Sequence, residues 1–221
     1  MTTNMAGTRT DVRQGVLRRV MQMVLATLFQ GAILFVASGR LDWWMAWAYL
    51  GVFAGVLLVN GAMMMRHDPS LIAERGETRE NTKGWDKVVS AIIAAGMLAT
   101  LLVAGLDVRF AWSAPLAPAV QAAALAAVLL GYALASWAMQ VNQFFARVVR
   151  IQEDRGHAVV SAGPYRLVRH PSNVGMILYS LATPTALSSL RALVPAGAIA
   201  LAFLVRTSLE DRMLQAELEG M

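Results

Sequence analysis

The chain has 221 residues, 57% of them hydrophobic and 15% charged, with a formal net charge of +5 and no cysteine. A soluble domain of this size carries about a quarter charged residues, so the composition points to a membrane-embedded chain. The lack of cysteine excludes disulfides, Cys-ligated zinc, Fe–S clusters and thiol nucleophiles, and three His with no i, i+4 pair give no expectation of a metal site. The basic residues flank apolar runs rather than lining one soluble face, which favours a role in topology and lipid contact over nucleic-acid binding.

Six apolar segments follow in chain order, at 20–38, 43–65, 88–106, 117–145, 172–188 and 190–206. The expected fold is an all-α polytopic membrane bundle of about five to six transmembrane helices, ending in a helical hairpin. It forms a single integral membrane domain over 1–221, with N-terminal spans and an interfacial connector in 1–115 and a catalytic core in 116–221. The first run is of spanning length and shows no small-residue cleavage site, so it reads as a retained helix rather than a signal peptide. The second contains Gly51 and Gly55, a small-xxx-small spacing suited to close helix packing. The connector from Arg66 to Lys87 holds five basic and five acidic residues. Within it, Ser70 and Glu74 suggest a short amphipathic helix at the interface. Pro184 and Pro195 fall in the last two segments, where neighbouring helices can satisfy the backbone groups they free.

Counting Lys and Arg orients the chain. With the N-terminus in the cytoplasm, sixteen of nineteen fall on that side, leaving Arg40, Arg109 and Arg191 outside. Both termini and the polar loop around 147–171 are then cytoplasmic, and that loop can meet the C-terminal end. No charge sits deep within the first four segments, which argues against a transporter.

The loop carries the chemistry. A cluster of two His, two Arg and a Tyr beside a bilayer is costly and calls for a function. Arg155-Gly-His157 breaks the long fourth helix, Val159-Val160 is extended, and Gly163-Pro164 makes a turn. Exposed backbone there can bind an adenine edge or an amino-acid moiety. Tyr165 offers a flat face, Arg169 and His170 offer donors, and Pro171-Ser172 open a helix whose first N–H groups favour an anion. A charged, nucleoside-like ligand reached from the cytosol suits this site. In the tail, Arg206 and Glu210 are four apart on one helix face, the spacing of an ordinary surface ion pair, with Asp211 adjacent.

These residues resemble the isoprenylcysteine carboxyl methyltransferase family of membrane enzymes, related to phospholipid methyltransferases. The likeness rests on His157-x-Val-Val160, Gly163-Pro-Tyr165, Arg169-His-Pro171, Gly175 and Arg206-x-x-x-Glu210-Asp211, and covers about 140–218. It implies S-adenosylmethionine as methyl donor. By the same likeness Gln152, His157, Ala158, Val159, Val160, Tyr165, His170, Pro171, Ser172 and Asn173 line the cofactor pocket. Glu210 holds the cofactor from the other side, and Arg206 orients the substrate. The family usually has an aromatic residue where Asn173 stands, and continues with a Tyr-rich basic segment where this chain reaches Glu219-Gly-Met221.

The implied reaction is methyl transfer to a lipophilic acceptor entering from the bilayer. A carboxylate acceptor needs only a positioning cation, whereas an amine must shed a proton, for which His157 and His170 are the candidates. Prenylated peptides, phospholipids, quinone-like isoprenoids and small thiols all stay open as acceptors. Two other classes compete: an NADPH-dependent membrane reductase of the sterol and steroid type, which also carries Arg-His-Pro, and a non-catalytic membrane binding protein.

Overall fold

The structure, a computed structural model, describes residues 4–67, 84–142 and 160–217. The described residues form six α-helices: α1 (Asn4–Ser38), α2 (Trp44–His67), α3 (Gly84–Phe110), α4 (Pro118–Val141), α5 (Pro171–Ala186) and α6 (Leu193–Glu217). A 3₁₀ turn at Gly163–Arg166 precedes α5, and the described residues include no strand. The expected all-α polytopic bundle is what forms.

Five helices are long and apolar enough to cross a bilayer: Val20–Ser38 of α1, Trp44–Met63 of α2, all of α3, all of α4, and Leu193–Met213 of α6. Helix α5 has 16 residues, about 24 Å against a hydrocarbon core of about 30 Å. Among the described residues the bundle thus has five helices of full spanning length and a shorter sixth. Large apolar side chains such as Leu28, Val36, Leu130 and Val194 face outward, as a lipid-contacting surface requires.

The helices overrun their apolar windows. Helix α3 extends four residues beyond each end of 88–106, and α6 runs to Glu217, eleven residues past the expected end at 206. Hydropathy marks where side chains cease to prefer lipid, while the backbone ladder continues until a cap or turn stops it. The overrun puts Asp86 and Asp107, both buried, near the two ends of α3. It also carries Arg206, Glu210 and Asp211 on regular helix. The amphipathic helix expected around Ser70 and Glu74, and the extended piece before Val160, lie outside the described residues.

The closest helix approach is not the one the small-residue spacing suggested. At Gly51 and Gly55 an added Cβ would meet nothing within 4 Å, so these glycines pack against no other part of the chain's described residues. The contact is instead between α4 and α5, where a Cβ on Gly131 would lie 2.5 Å from the Gly175 carbonyl oxygen, and one on Gly175 equally close to that of Gly131. Spacing reports that small residues can pack, but only the fold decides which pair does.

At the end opposite the polar loop, a hydrogen-bonded lock sets the α5–α6 hairpin. Ser188 takes the left-handed conformation (φ 59°), and Ser189 N donates to Pro184 O at 2.8 Å while Ser188 N donates to Thr185 O at 3.1 Å. This is a Schellman-type stop with Ser where Gly is usual. Asp107 of α3 accepts from Ser113 N and Ser113 Oγ, both at 2.7 Å, and from Ser189 Oγ. Ser189 Oγ in turn accepts from Ala192 N at the start of α6. With its turn anchored to α3, the hairpin returns α6 antiparallel to α5, so the start of α5 faces the end of α6.

Gly131→Ala and Gly175→Ala are each expected to destabilise by about 1–3 kcal/mol or more, since the clash is with backbone. Gly51→Ala should change little. Thermal unfolding of the purified protein in detergent checks both.

Candidate functional site

The site is built where α5 begins and α6 ends. Gly163, at φ +55°, turns the chain into the 3₁₀ segment, and a Cβ there would meet Val141 at 2.9 Å. Pro164 is fully buried beneath the segment, and Tyr165 Oη accepts a hydrogen bond from Asn142 Nδ2 at 3.2 Å. The turn therefore seats the loop against the end of α4. Burial raises the Tyr165 pKa above its usual value, with the nearby Glu210 charge adding to that and the Asn142 hydrogen bond opposing it.

His170 occupies the N-cap position of α5 but makes no side-chain cap. Its ring reaches across to α6 instead. Nε2 is 2.7 Å from Asp211 Oδ1, and Nδ1 is 3.5 Å from Glu210 Oε2. A neutral imidazole can donate from only one nitrogen, so two flanking carboxylates favour the doubly protonated ring. Burial opposes that charge, but hydrogen bonds and charge attraction from Glu210 and Asp211 outweigh it, and the His170 pKa is raised above 6.5.

One turn on, Asn173 Nδ2 donates to Thr207 Oγ1 at 3.0 Å, tying α5 to α6 a second time. Arg206, one helical turn before Glu210, forms an ion pair through Nε with Asp86 Oδ1 of α3 at 3.1 Å. The pairing is therefore Arg206 with Asp86 and Glu210 with His170, rather than the Arg206–Glu210 pair that their spacing allows.

Of the residues singled out in the sequence, the structure brings Tyr165, His170, Pro171, Asn173, Arg206 and Glu210 to one end of the bundle, with Ser172 in the first turn of α5 and Val160 at the start of the loop. Gln152, His157, Ala158 and Val159 lie outside the described residues. Sequence reasoning missed Asp86, Asn142 and Thr207. Asp86 was one of five acids in the connector, and its complete burial shows only in the fold.

The fold and this cluster define a multi-pass α-helical membrane protein with an ion-paired polar site at one end of its bundle. Residues 123–216 match the isoprenylcysteine carboxyl methyltransferase (ICMT) family. The matched region contains every member of the cluster except Asp86. A stretch of 64 residues is 41% identical to the protein-S-isoprenylcysteine O-methyltransferase of Schizosaccharomyces pombe, covering 28% of this chain and 27% of that protein. That match spans about a quarter of the relative's length. No solved structure matches the chain.

The raised His170 pKa has a definite sign. Stability from the imidazolium–carboxylate contacts is fully present below the unfolded value of about 6.5 and is lost as pH rises through the higher folded value. Thermal midpoints of the wild type should fall relative to His170→Asn as pH is raised from about 6 to about 9. Parallel profiles for the two proteins would contradict this.

Proposed function

We propose that the protein is a membrane-embedded methyltransferase that takes its methyl group from S-adenosylmethionine and delivers it to a lipophilic carboxylate acceptor of the prenylcysteine kind. The observation that carries the reading is the junction of the 160–170 loop with α6, where Glu210 and Asp211 meet His170 inside the family-matched region.

The residues present fit the donor. A sulfonium with an amino group is cationic, and Glu210 and Asp211 keep 27% and 29% of their side chains exposed beside the loop, within reach of a ligand. Tyr165 contributes a half-buried ring for a nucleoside. When bound, the donor supplies a methyl group already activated on positive sulfur, so the protein's task is alignment.

The surroundings of His170 favour a carboxylate acceptor. The two carboxylates beside His170 favour its protonated ring, which has no lone pair with which to take a proton from an amine or thiol, and His157, the other candidate base, lies outside the described residues. A carboxylate acceptor is already ionised and needs only an orienting cation, a part that falls to Arg206. The apolar tail also has a place to go. A cavity of about 340 Å³ is lined from all six helices, with Phe29 and Leu98 both lining it and exposed toward the lipid side. It contains none of the polar cluster. Its residue Ile199 lies seven positions before Arg206 on α6, about 10 Å along the axis. An acceptor headed at Arg206 could therefore extend its tail into the cavity.

The site and both termini are assigned to the cytoplasmic face, because sixteen of nineteen Lys and Arg fall on that side and Arg40, Arg109 and Arg191 do not.

S-adenosylhomocysteine should stabilise the purified protein against heat and NADPH should not. Stabilisation by NADPH alone would favour the reductase reading. With radiolabelled S-adenosylmethionine, label should pass to N-acetyl-S-farnesylcysteine. Arg206→Ala should lower kcat/KM for that acceptor about 100-fold while Glu210→Gln weakens S-adenosylhomocysteine binding about tenfold. Variants that leave all binding unchanged would favour a non-catalytic role.

A further inference from the structure

We infer that Asp86 is a positioning residue, orienting the Arg206 guanidinium for the acceptor carboxylate. The inference rests on the methyltransferase reading and extends it to α3, outside the family-matched residues.

Asp86 stands in the first turn of α3 and is fully buried. The field of a helix N-terminus rewards a carboxylate in the first turn, but it does so for an exposed one as well. Complete burial is costly unless the charge is paired. Among the described residues Asp86 is paired with Arg206, itself only 15% exposed, at 3.1 Å. This contact holds the two ends of α3 and α6 together.

Two alternatives are open to Arg206 without Asp86, and both would spoil the site. A long cationic side chain at the edge of an apolar span extends toward water. It can also turn to Glu210, four residues on along the same face, and neutralise the carboxylate assigned to the donor. Asp86 prevents both. The buried carboxylate, 3.1 Å from Nε, holds the guanidinium by charge at the head of α3. The arrangement keeps two tasks apart: Arg206 bound to α3 and oriented to the acceptor, Glu210 bound to His170 and oriented to the donor.

The test uses the full chain in detergent, with Asp86→Asn and Asp86→Glu. Affinities for N-acetyl-S-farnesylcysteine and for S-adenosylhomocysteine are measured by calorimetry, alongside KM and kcat. Asp86→Asn should raise the acceptor Kd and KM about tenfold, with the S-adenosylhomocysteine Kd within about twofold of wild type. Because an Arg left without its carboxylate can compromise folding, Asp86→Glu supplies the second measurement. It keeps the charge but displaces the guanidinium, and should raise the acceptor KM about threefold with donor affinity unchanged. Acceptor affinity unchanged in both variants, or acceptor and donor affinities falling together, would overturn the inference. A wild-type chain that binds no S-adenosylhomocysteine would contradict the methyltransferase reading itself, and the inference with it.

Discussion

A charge taken out of water must find a partner, and at this end of the bundle each partner lies on a different helix. His170 at the head of α5 meets Glu210 and Asp211 of α6, and Arg206 of α6 meets Asp86 of α3. Breaking such a pair on one side leaves the other charge stranded, which costs far more than an exposed pair contributes. These contacts therefore do more than decorate a surface. They fix the register of three helices at the place where the loop, the family-matched residues and the lipid-facing bundle converge.

The opposite end of the molecule serves the same arrangement. Asp107, Ser113, Ser188 and Ser189 form a second polar knot, anchoring the α5–α6 turn to α3. Between the two knots the helices approach closely at Gly131 and Gly175 and pack largely apolar side chains, with the hydroxyls of Tyr49 and Tyr179 hydrogen-bonded to each other and Asn60 donating to Ser136 Oγ. In a bilayer, apolar packing gives little preference for one pairing of helices over another, because lipid is as apolar as leucine. Polar contacts between helices, at the two ends and at these mid-bundle pairs, then carry much of the specificity.

Much of the fold was legible because the bilayer imposes it. Runs of apolar residues of spanning length have few alternatives to helix, and all six segments are there. The helix ends were not legible, since Arg206 through Glu217 extend the ladder beyond the apolar stretch that hydropathy reports. In the site, His170, Arg206 and Glu210 stood out through motif spacing, which local sequence preserves. Asp86 did not, because its significance lies in a contact spanning more than a hundred residues of chain. Nothing in a mixed-charge connector marks Asp86 as an acid that will be buried. For the same reason Gly51 and Gly55 were more conspicuous in sequence than Gly131 and Gly175, although only the latter pair brings helices together. The Arg206–Glu210 spacing suggested a local ion pair, and tertiary partners on α3 and α5 took both residues.

The central claim is that His170 and Glu210 act as one unit in holding the donor. A double-mutant cycle tests it most directly: S-adenosylhomocysteine affinity measured for wild type, His170→Asn, Glu210→Gln and the double variant. The account predicts that either single change costs nearly as much as both together, giving a coupling of about 1 kcal/mol or more. Affinities that fall additively, or that do not change in any variant, would contradict it.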